Sequence, residues 1–346
     1  MILFLSSLYV VSFMPSLVKA FVMARDKFPS NHPFASDKLR FGDLYGISFI
    51  PTFRMPYQTH SQTLDLAGIQ PGKPYNLCIL GDSYKGAALL QSSAFTHVNE
   101  LTLGEVEGIL TNQLTVPDAQ YQSVLVLETA ERYVRARLGS TTIDTARPVP
   151  VSLNSLSWLQ QQSMRLIRAF CRDSSTDLEY FVFDYGCLRP LKEARAALAF
   201  RYFDRVPDGV GISANKQHLY LKETLLGEKT SSFAALDSVE VDSIVANLNR
   251  LNRRALQKGY KAVYLSIIPN PVSVIEPTRS AYNHLIERVE QHPALEMGVI
   301  SLYERFSKNG GYYYHPSDSH WNQAGIDVWV RSMNHIIDPN LPISAL

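Results

Sequence analysis

Short apolar runs that alternate with helix-period segments restrict the fold of this chain more than any other feature. NLCIL (76–80) stops at Gly81 and leads into the helix-compatible KGAALLQSSA. HVNELTL (97–103) is followed by GEVEGILTNQL, whose apolar spacing suits a helix, and SVLVLET (123–129) forms a strongly apolar third run. AVYLSII (262–268) is the fourth run and GVISLYE (298–304) the fifth. Ahead of the fourth, Ile244, Leu248, Leu251 and Leu256 recur near helical spacing and Gly259 supplies a stop. A helical segment around AYNHLIERVEQH precedes the fifth. Apolar strands that alternate with helices predict an α/β fold built on a doubly wound, mainly parallel five-stranded sheet.

The spacing of the runs also divides the chain. About a hundred residues lie between the third strand and the helix ahead of the fourth, too many for a plain crossover. They are expected to form an insertion at about 138–240, with a helix in LNSLSWLQQQSMRLIRAFCR, an apolar YFVFDYG run and a hairpin-like VGISANKQHLYLKET turning at Ala-Asn-Lys. Residues 27–72 are rich in Pro, Ser and aromatics and are expected to form a collar ahead of the main domain, 73–346.

Residues 1–26 open with MILFLSSLYVVSFMPSLV, which lacks any charged side chain and is followed by Lys19, Arg25 and Lys27. That length falls between a signal-peptide core and a membrane span. Val18-Lys19-Ala20 and Val22-Met23-Ala24 have the small-residue spacing of a cleavage site, so a signal peptide or membrane anchor is expected. The missing basic n-region and Pro15 leave a buried first helix as the alternative.

Composition removes other classes. With 346 residues, 46% of them hydrophobic, the chain can bury a large core. Thirty-three basic against thirty-two acidic residues give a net charge of +1 without a basic run, so no nucleic-acid partner is expected. Cys78, Cys171 and Cys187 lie far apart and show no metal-ligand spacing, so no metal is expected. Cys78 reads as a buried small residue, and a Cys171–Cys187 pair is left open.

Chemistry concentrates at two motifs. In GDSYKG, Ser83 stands at a strand-to-helix corner, where a hydroxyl faces the cleft beyond the carboxyl end of a parallel strand. Its own N–H can point at a developing oxyanion, but the hydroxyl needs a base. Of nine histidines, only one lies in a setting suited to that role: Asp318 and His320, two apart in YYYHPSDSHWNQAG, follow the fifth run and precede a helix beginning near Asn322. Asp318 can orient His320 while the other ring nitrogen faces Ser83, in the order Ser, Asp, His.

Each motif also has an ordinary structural interpretation. Gly-Asp-Ser is a common turn, and Asp318 or Ser319 can cap a helix. Asp82 reads as a structural turn residue rather than the triad acid. At the end of the third strand, Arg132 is a candidate for binding a sugar hydroxyl or carboxylate and Thr129 for polarising an acyl carbonyl, against a solvated Glu-Arg pair at a helix start. Tyr84 and Lys85 are candidates to line the pocket, or plain helix surface. Trp321 is expected to pack over the imidazole or stack on a pyranose.

GDSYKG and DSHWNQAG resemble the first and last blocks of the SGNH hydrolase superfamily. The chain is similar, more narrowly, to its polysaccharide O-acetyltransferase branch of the alginate type. FGDLYGISFIPTF, VLVLETAERYV and KGYKAVYLSIIPNPVSVIEP resemble further segments of that family, and YYYHPSDSHWNQAG resembles it most specifically. Four departures stand out: the serine block comes first, as in ordinary SGNH esterases, where the alginate type places the Asp-x-His-Trp block first; the Asp-x-x-His of ordinary members is shortened to Asp-x-His; no Gly-x-Asn-Asp block follows the third strand; and Asn270-Pro271 stands where the family's fourth-strand segment tends to carry a lysine.

The resemblance implies an SGNH/flavodoxin-like sheet and a Ser83–His320–Asp318 triad that needs no cofactor. It implies acetylation of an extracytoplasmic polysaccharide, with a membrane-bound O-acyltransferase as acyl donor. It also implies a cell-envelope location, periplasmic or anchored to the inner membrane. A carbohydrate O-acetyl esterase of the same fold and a noncatalytic glycan-binding envelope protein are the alternatives.

Overall fold

The structure is a computed structural model that describes residues 41–56, 75–87, 90–95, 97–105, 114, 116–117, 120–139 and 185–337. The described residues fall into two compact units, 41–56 with 185–207 and 75–139 with 208–337. Residues 1–26, both ends of the collar (27–40 and 57–72), most of GEVEGILTNQL, the helix expected in LNSLSWLQQQSMRLIRAFCR, most of the YFVFDYG run and Cys171 lie outside them. Among the described residues no helix is long and apolar enough to cross a membrane.

In the smaller unit, the helix Asp43–Ser48 meets the helix Arg189–Phe203. The buried Tyr45 hydroxyl donates to the Glu193 carboxylate, and Arg54 donates to both of that carboxylate's oxygens at 3.2 and 3.1 Å. One acid thus ties two segments far apart in sequence.

The larger unit carries the sheet. Its strands are β1 (Tyr75–Gly81), β2 (Val98–Glu105), β3 (Gln122–Ala130), β4 (Val210–Ile212), β5 (Leu219–Leu221), β6 (Ala262–Ile268) and β7 (Gly298–Val299). Five of them form one sheet in the order β2-β1-β3-β6-β7 with every neighbouring pair parallel, while β4 and β5 make a separate antiparallel hairpin. The helices of this unit are α1 (Ser83–Ala87), α2 (Glu131–Leu138), α3 (Lys222–Leu226), α4 (Ser238–Gln257), α5 (Pro271–Ile275), α6 (Leu285–Glu290), α7 (Tyr303–Lys308), α8 (Gly310–Tyr313) and α9 (Gln323–Ile337).

The central strands β1, β3 and β6 are largely apolar because both of their faces are covered, whereas the edge strand β2 is mostly exposed and carries Asn99, Glu100 and Glu105. Side chains alternate across the pleat, so Leu77, Ile79, Val124 and Val126 pack with Phe306 of α7 and Trp329 and Met333 of α9. Cys78, Leu80, Leu125 and Leu127 pack on the opposite face with Ile244, Leu248 and Leu251 of α4 and Ile286 of α6. Each fully buried aliphatic contributes about 1.5–3 kcal/mol relative to exposure. The α4 start is fixed by Asp237, whose side chain accepts the Glu240 N–H at 2.7 Å, and its end by Gly259 at a φ of 105°.

The fifth run is a correction. The fifth strand is shorter than expected, Gly298 and Val299, with one further bond from the Ile300 N–H to the Leu265 carbonyl at 2.8 Å; Leu302 is buried in a connection, and the chain enters α7 at Tyr303. Burial without strand pairing produces the same apolar signature as a strand. The hairpin turns through Ser213–His218 as expected, with Lys216 at a φ of 57°.

Candidate active site

In a parallel sheet all strands end on one edge, which brings Gly81, Ala130 and Ile268 together. Ser83 opens α1 just past the end of β1 and is exposed. The segment facing it is a closed loop: Tyr314 and Trp321 form a β-bridge, and the intervening residues carry Asp318 and His320.

The spacing of two between Asp318 and His320 has a local cause. Asp318 Oδ1 accepts the His320 backbone N–H at 2.9 Å, an Asx-type turn, and the same oxygen lies 2.6 Å from His320 Nδ1. The turn folds the imidazole back onto the carboxylate. His320 Nε2 is then 2.7 Å from Ser83 Oγ, across 237 residues of sequence. With the proton on Nδ1, donated to Asp318, Nε2 accepts the Ser83 hydroxyl. Asp318 is buried, His320 half-buried and Ser83 open to solvent.

Tyr84, Thr129, Arg132 and Trp321 stand behind this chain of hydrogen bonds, with exposures of 0%, 2%, 3% and 0%. The Tyr84 hydroxyl donates to the Ser319 carbonyl at 2.6 Å and accepts from Arg132 Nη1 at 3.3 Å. Its ring lies 4.9 Å from the His320 imidazole and meets Trp321 edge to face at 5.2 Å. Trp321 in turn packs on Trp329, whose indole N–H donates to Ser266 Oγ. Tyr84, backed by Arg132 and Trp321, supports the histidine loop, Thr129 donates to Asp82 at the Ser83 corner, and none of the four faces solvent.

Lys85 is likewise buried. Its ammonium donates to the Gly81 carbonyl at 2.6 Å, to the Asp82 carbonyl and to Glu105. It closes the β1 corner rather than lining a cleft as pocket surface.

Asp82 holds the corner from the other side. Its carboxylate accepts the Ala130 N–H at 2.8 Å, the Thr129 hydroxyl at 3.3 Å and Arg137 Nη1. Glu128 and Arg137 belong to this network, and sequence reasoning assigned neither a role in it. The signal available for Glu128 was an acid directly after VLVL in a strand expected to be buried on both faces. Glu128 is fully buried, and one of its oxygens accepts the Asp82 N–H at 2.8 Å.

A second buried acid, Glu131, begins α2 and accepts the Asn270 N–H at 2.8 Å and the Ser273 hydroxyl at 2.6 Å, tying the ends of β3 and β6 together. Burial pushes its carboxyl up to about 7 despite those donors.

Chemically, the arrangement offers an exposed hydroxyl, a base aligned to take its proton and a buried carboxylate to stabilise the resulting imidazolium. No protein-family model, curated protein or solved structure matches the chain.

Proposed function

We propose that this chain is a serine acyltransferase of the SGNH type that acetylates an extracytoplasmic polysaccharide through an acyl-Ser83 intermediate. The observation that carries the proposal is the pair of short contacts on one imidazole, Nε2 to Ser83 Oγ at 2.7 Å and Nδ1 to Asp318 at 2.6 Å. Both lie within hydrogen-bond reach for proton transfer without rearrangement. A serine at the carboxyl edge of a parallel sheet, followed in sequence by the acid and the base, is the order of ordinary SGNH esterases, so it supports the superfamily chemistry and not the alginate-type branch.

In this mechanism His320 Nε2 takes the hydroxyl proton as Ser83 Oγ attacks the acyl carbonyl. The C–O bond to the donor breaks as the donor's oxygen receives that proton, leaving an ester on Ser83. A glycan hydroxyl then gives its proton to His320 and attacks the ester. The acylated sugar departs and the proton returns to Ser83. Asp318 holds the imidazole in the productive tautomer at each step, and the Ser83 N–H is one donor to the oxyanion. The envelope location and a membrane-bound acyl donor belong to the same proposal, supported by the apolar start of the chain and the resemblance.

The test is acceptor use. The protein is incubated with 4-nitrophenyl acetate and an uncharged oligosaccharide, and the sugar is examined by mass spectrometry. Acetylated sugar formed by wild type and absent with Ser83→Ala supports the transferase. Acetate release without sugar modification replaces it with an esterase, and no Ser83-dependent turnover of either kind rejects acyl transfer.

A further inference from the structure

Beneath the Ser83 corner, two carboxylates cross between the ends of β1 and β3. The Asp82 N–H donates to Glu128 Oε2 at 2.8 Å, and the Asp82 side chain accepts the Ala130 N–H at 2.8 Å. Each strand end thus holds the other through a side chain to a backbone amide. Gly81 makes room for the crossing: a Cβ there would sit 2.2 Å from Glu128 Oε2. The residue after the crossing is Ser83.

We propose that Glu128 is a positioning residue for acyl transfer, forming with Asp82 a reciprocal clamp that fixes the backbone from which Ser83 projects toward His320. The inference rests on the acyl-transfer role assigned to Ser83 above.

The charges around the clamp are unequal. Asp82 has Arg137 as a direct ion-pair partner. Lys85, presented by α1, spends its hydrogen bonds on the Gly81 and Asp82 carbonyls and on Glu105 of β2, and β6 presents only Ser266 in register with Glu128. Glu128 Oε1 has no hydrogen-bond partner among the described residues. Burial, then the Asp82 carboxylate, pushes Glu128 up to about 8, with Lys85 and the Asp82 and Lys85 amides opposing. The clamp therefore works with Glu128 protonated. Its ionisation puts a second anion against Asp82 in a site closed to water, and the crossing opens.

The test follows acylation of Ser83 by 4-nitrophenyl acetate, by intact mass, from pH 6 to above the Glu128 transition. Wild type, Glu128→Gln, Glu128→Ala and Ser83→Ala are compared, with thermal unfolding of each. Gln keeps the acceptor for the Asp82 N–H and cannot ionise. Glu128→Ala should slow acylation at neutral pH by about tenfold or more, the scale expected when a reacting group is misplaced. Glu128→Gln should restore most of that rate and should lack the alkaline fall that wild type shows as Glu128 ionises.

Glu128→Ala that is folded and acylates at the wild-type rate overturns the clamp. So does an alkaline fall shared by wild type and Glu128→Gln, a comparison that decides the matter even where Glu128→Ala does not fold. A wild type that forms no adduct, or a Ser83→Ala variant that still forms one, instead sinks the acyl-transfer assignment itself.

Discussion

Tyr84→Phe isolates one hydroxyl in the support of the histidine loop. The ring is fully buried and contacts His320 and Trp321, and phenylalanine keeps its volume and those contacts. What disappears is the bridge from Arg132 Nη1 through the Tyr84 oxygen to the Ser319 carbonyl. Arg132 is 3% exposed, its Nε lacks a hydrogen-bond partner among the described residues, and the Glu223 carboxylate stands 4.0 Å away. Losing a hydrogen bond to a buried cation, and a donor to a buried carbonyl, should together cost about 3 kcal/mol. For a folded unit of this size, that lowers Tm by roughly 6–12 °C. Thermal and urea unfolding of the variant measure it directly. The acylation rate of the folded variant should fall as well, because Ser319 lies between Asp318 and His320. A Tm within about 1 °C of wild type, far short of that loss, would refute the idea that this bridge anchors the loop.

Other outcomes follow from neighbouring contacts. Gly81→Ala places a Cβ 2.9 Å from Glu128 Cβ as well as against its carboxylate; urea unfolding should show a loss of about 2–3 kcal/mol, partly relieved when combined with Glu128→Ala. Asp318→Asn, which leaves the wrong partner on His320 Nδ1, should reduce Ser83 acylation by about three to four orders of magnitude while the protein stays folded. Glu131 keeps its proton in the native state up to about 7, whereas the unfolded chain releases it from about 4.5. The native state therefore binds more protons across that window, and stability falls as pH rises through it, by on the order of 3 kcal/mol from this group. Urea titrations at several pH values should show a flatter profile for Glu131→Gln. Glu128 and Glu290, both raised by burial, keep some slope in that variant.

The sheet could be read in the sequence because strands covered on both faces are continuously apolar. NLCIL and AVYLSII fall on β1 and β6 almost residue for residue. Ser83, Asp318 and His320 were recoverable because each stands where backbone geometry gives few alternatives: a strand-to-helix corner and a two-residue Asx turn. GVISLYE overran its strand for a physical reason: past the Ile300 N–H bond to the Leu265 carbonyl, Leu302 is buried by packing rather than by pairing, and hydropathy does not separate the two. The signal at Glu128, an acid directly after VLVL, was ambiguous because an acid at a strand end normally marks exit to solvent. Its burial depends on a glycine that sits 47 residues earlier in sequence and beside it in the sheet. The substrate-binding roles expected for Tyr84, Thr129, Arg132 and Trp321 depended on which way each side chain points, and all four are buried.

The most direct test of the central claim is peptide-level mass spectrometry of the protein after brief exposure to 4-nitrophenyl acetate, with wild type, Ser83→Ala and His320→Ala compared. One acetyl group is expected on the wild-type peptide that contains Ser83, absent from Ser83→Ala and strongly reduced in His320→Ala. An unmodified Ser83 in wild type, under conditions that acylate a control serine esterase, would contradict it.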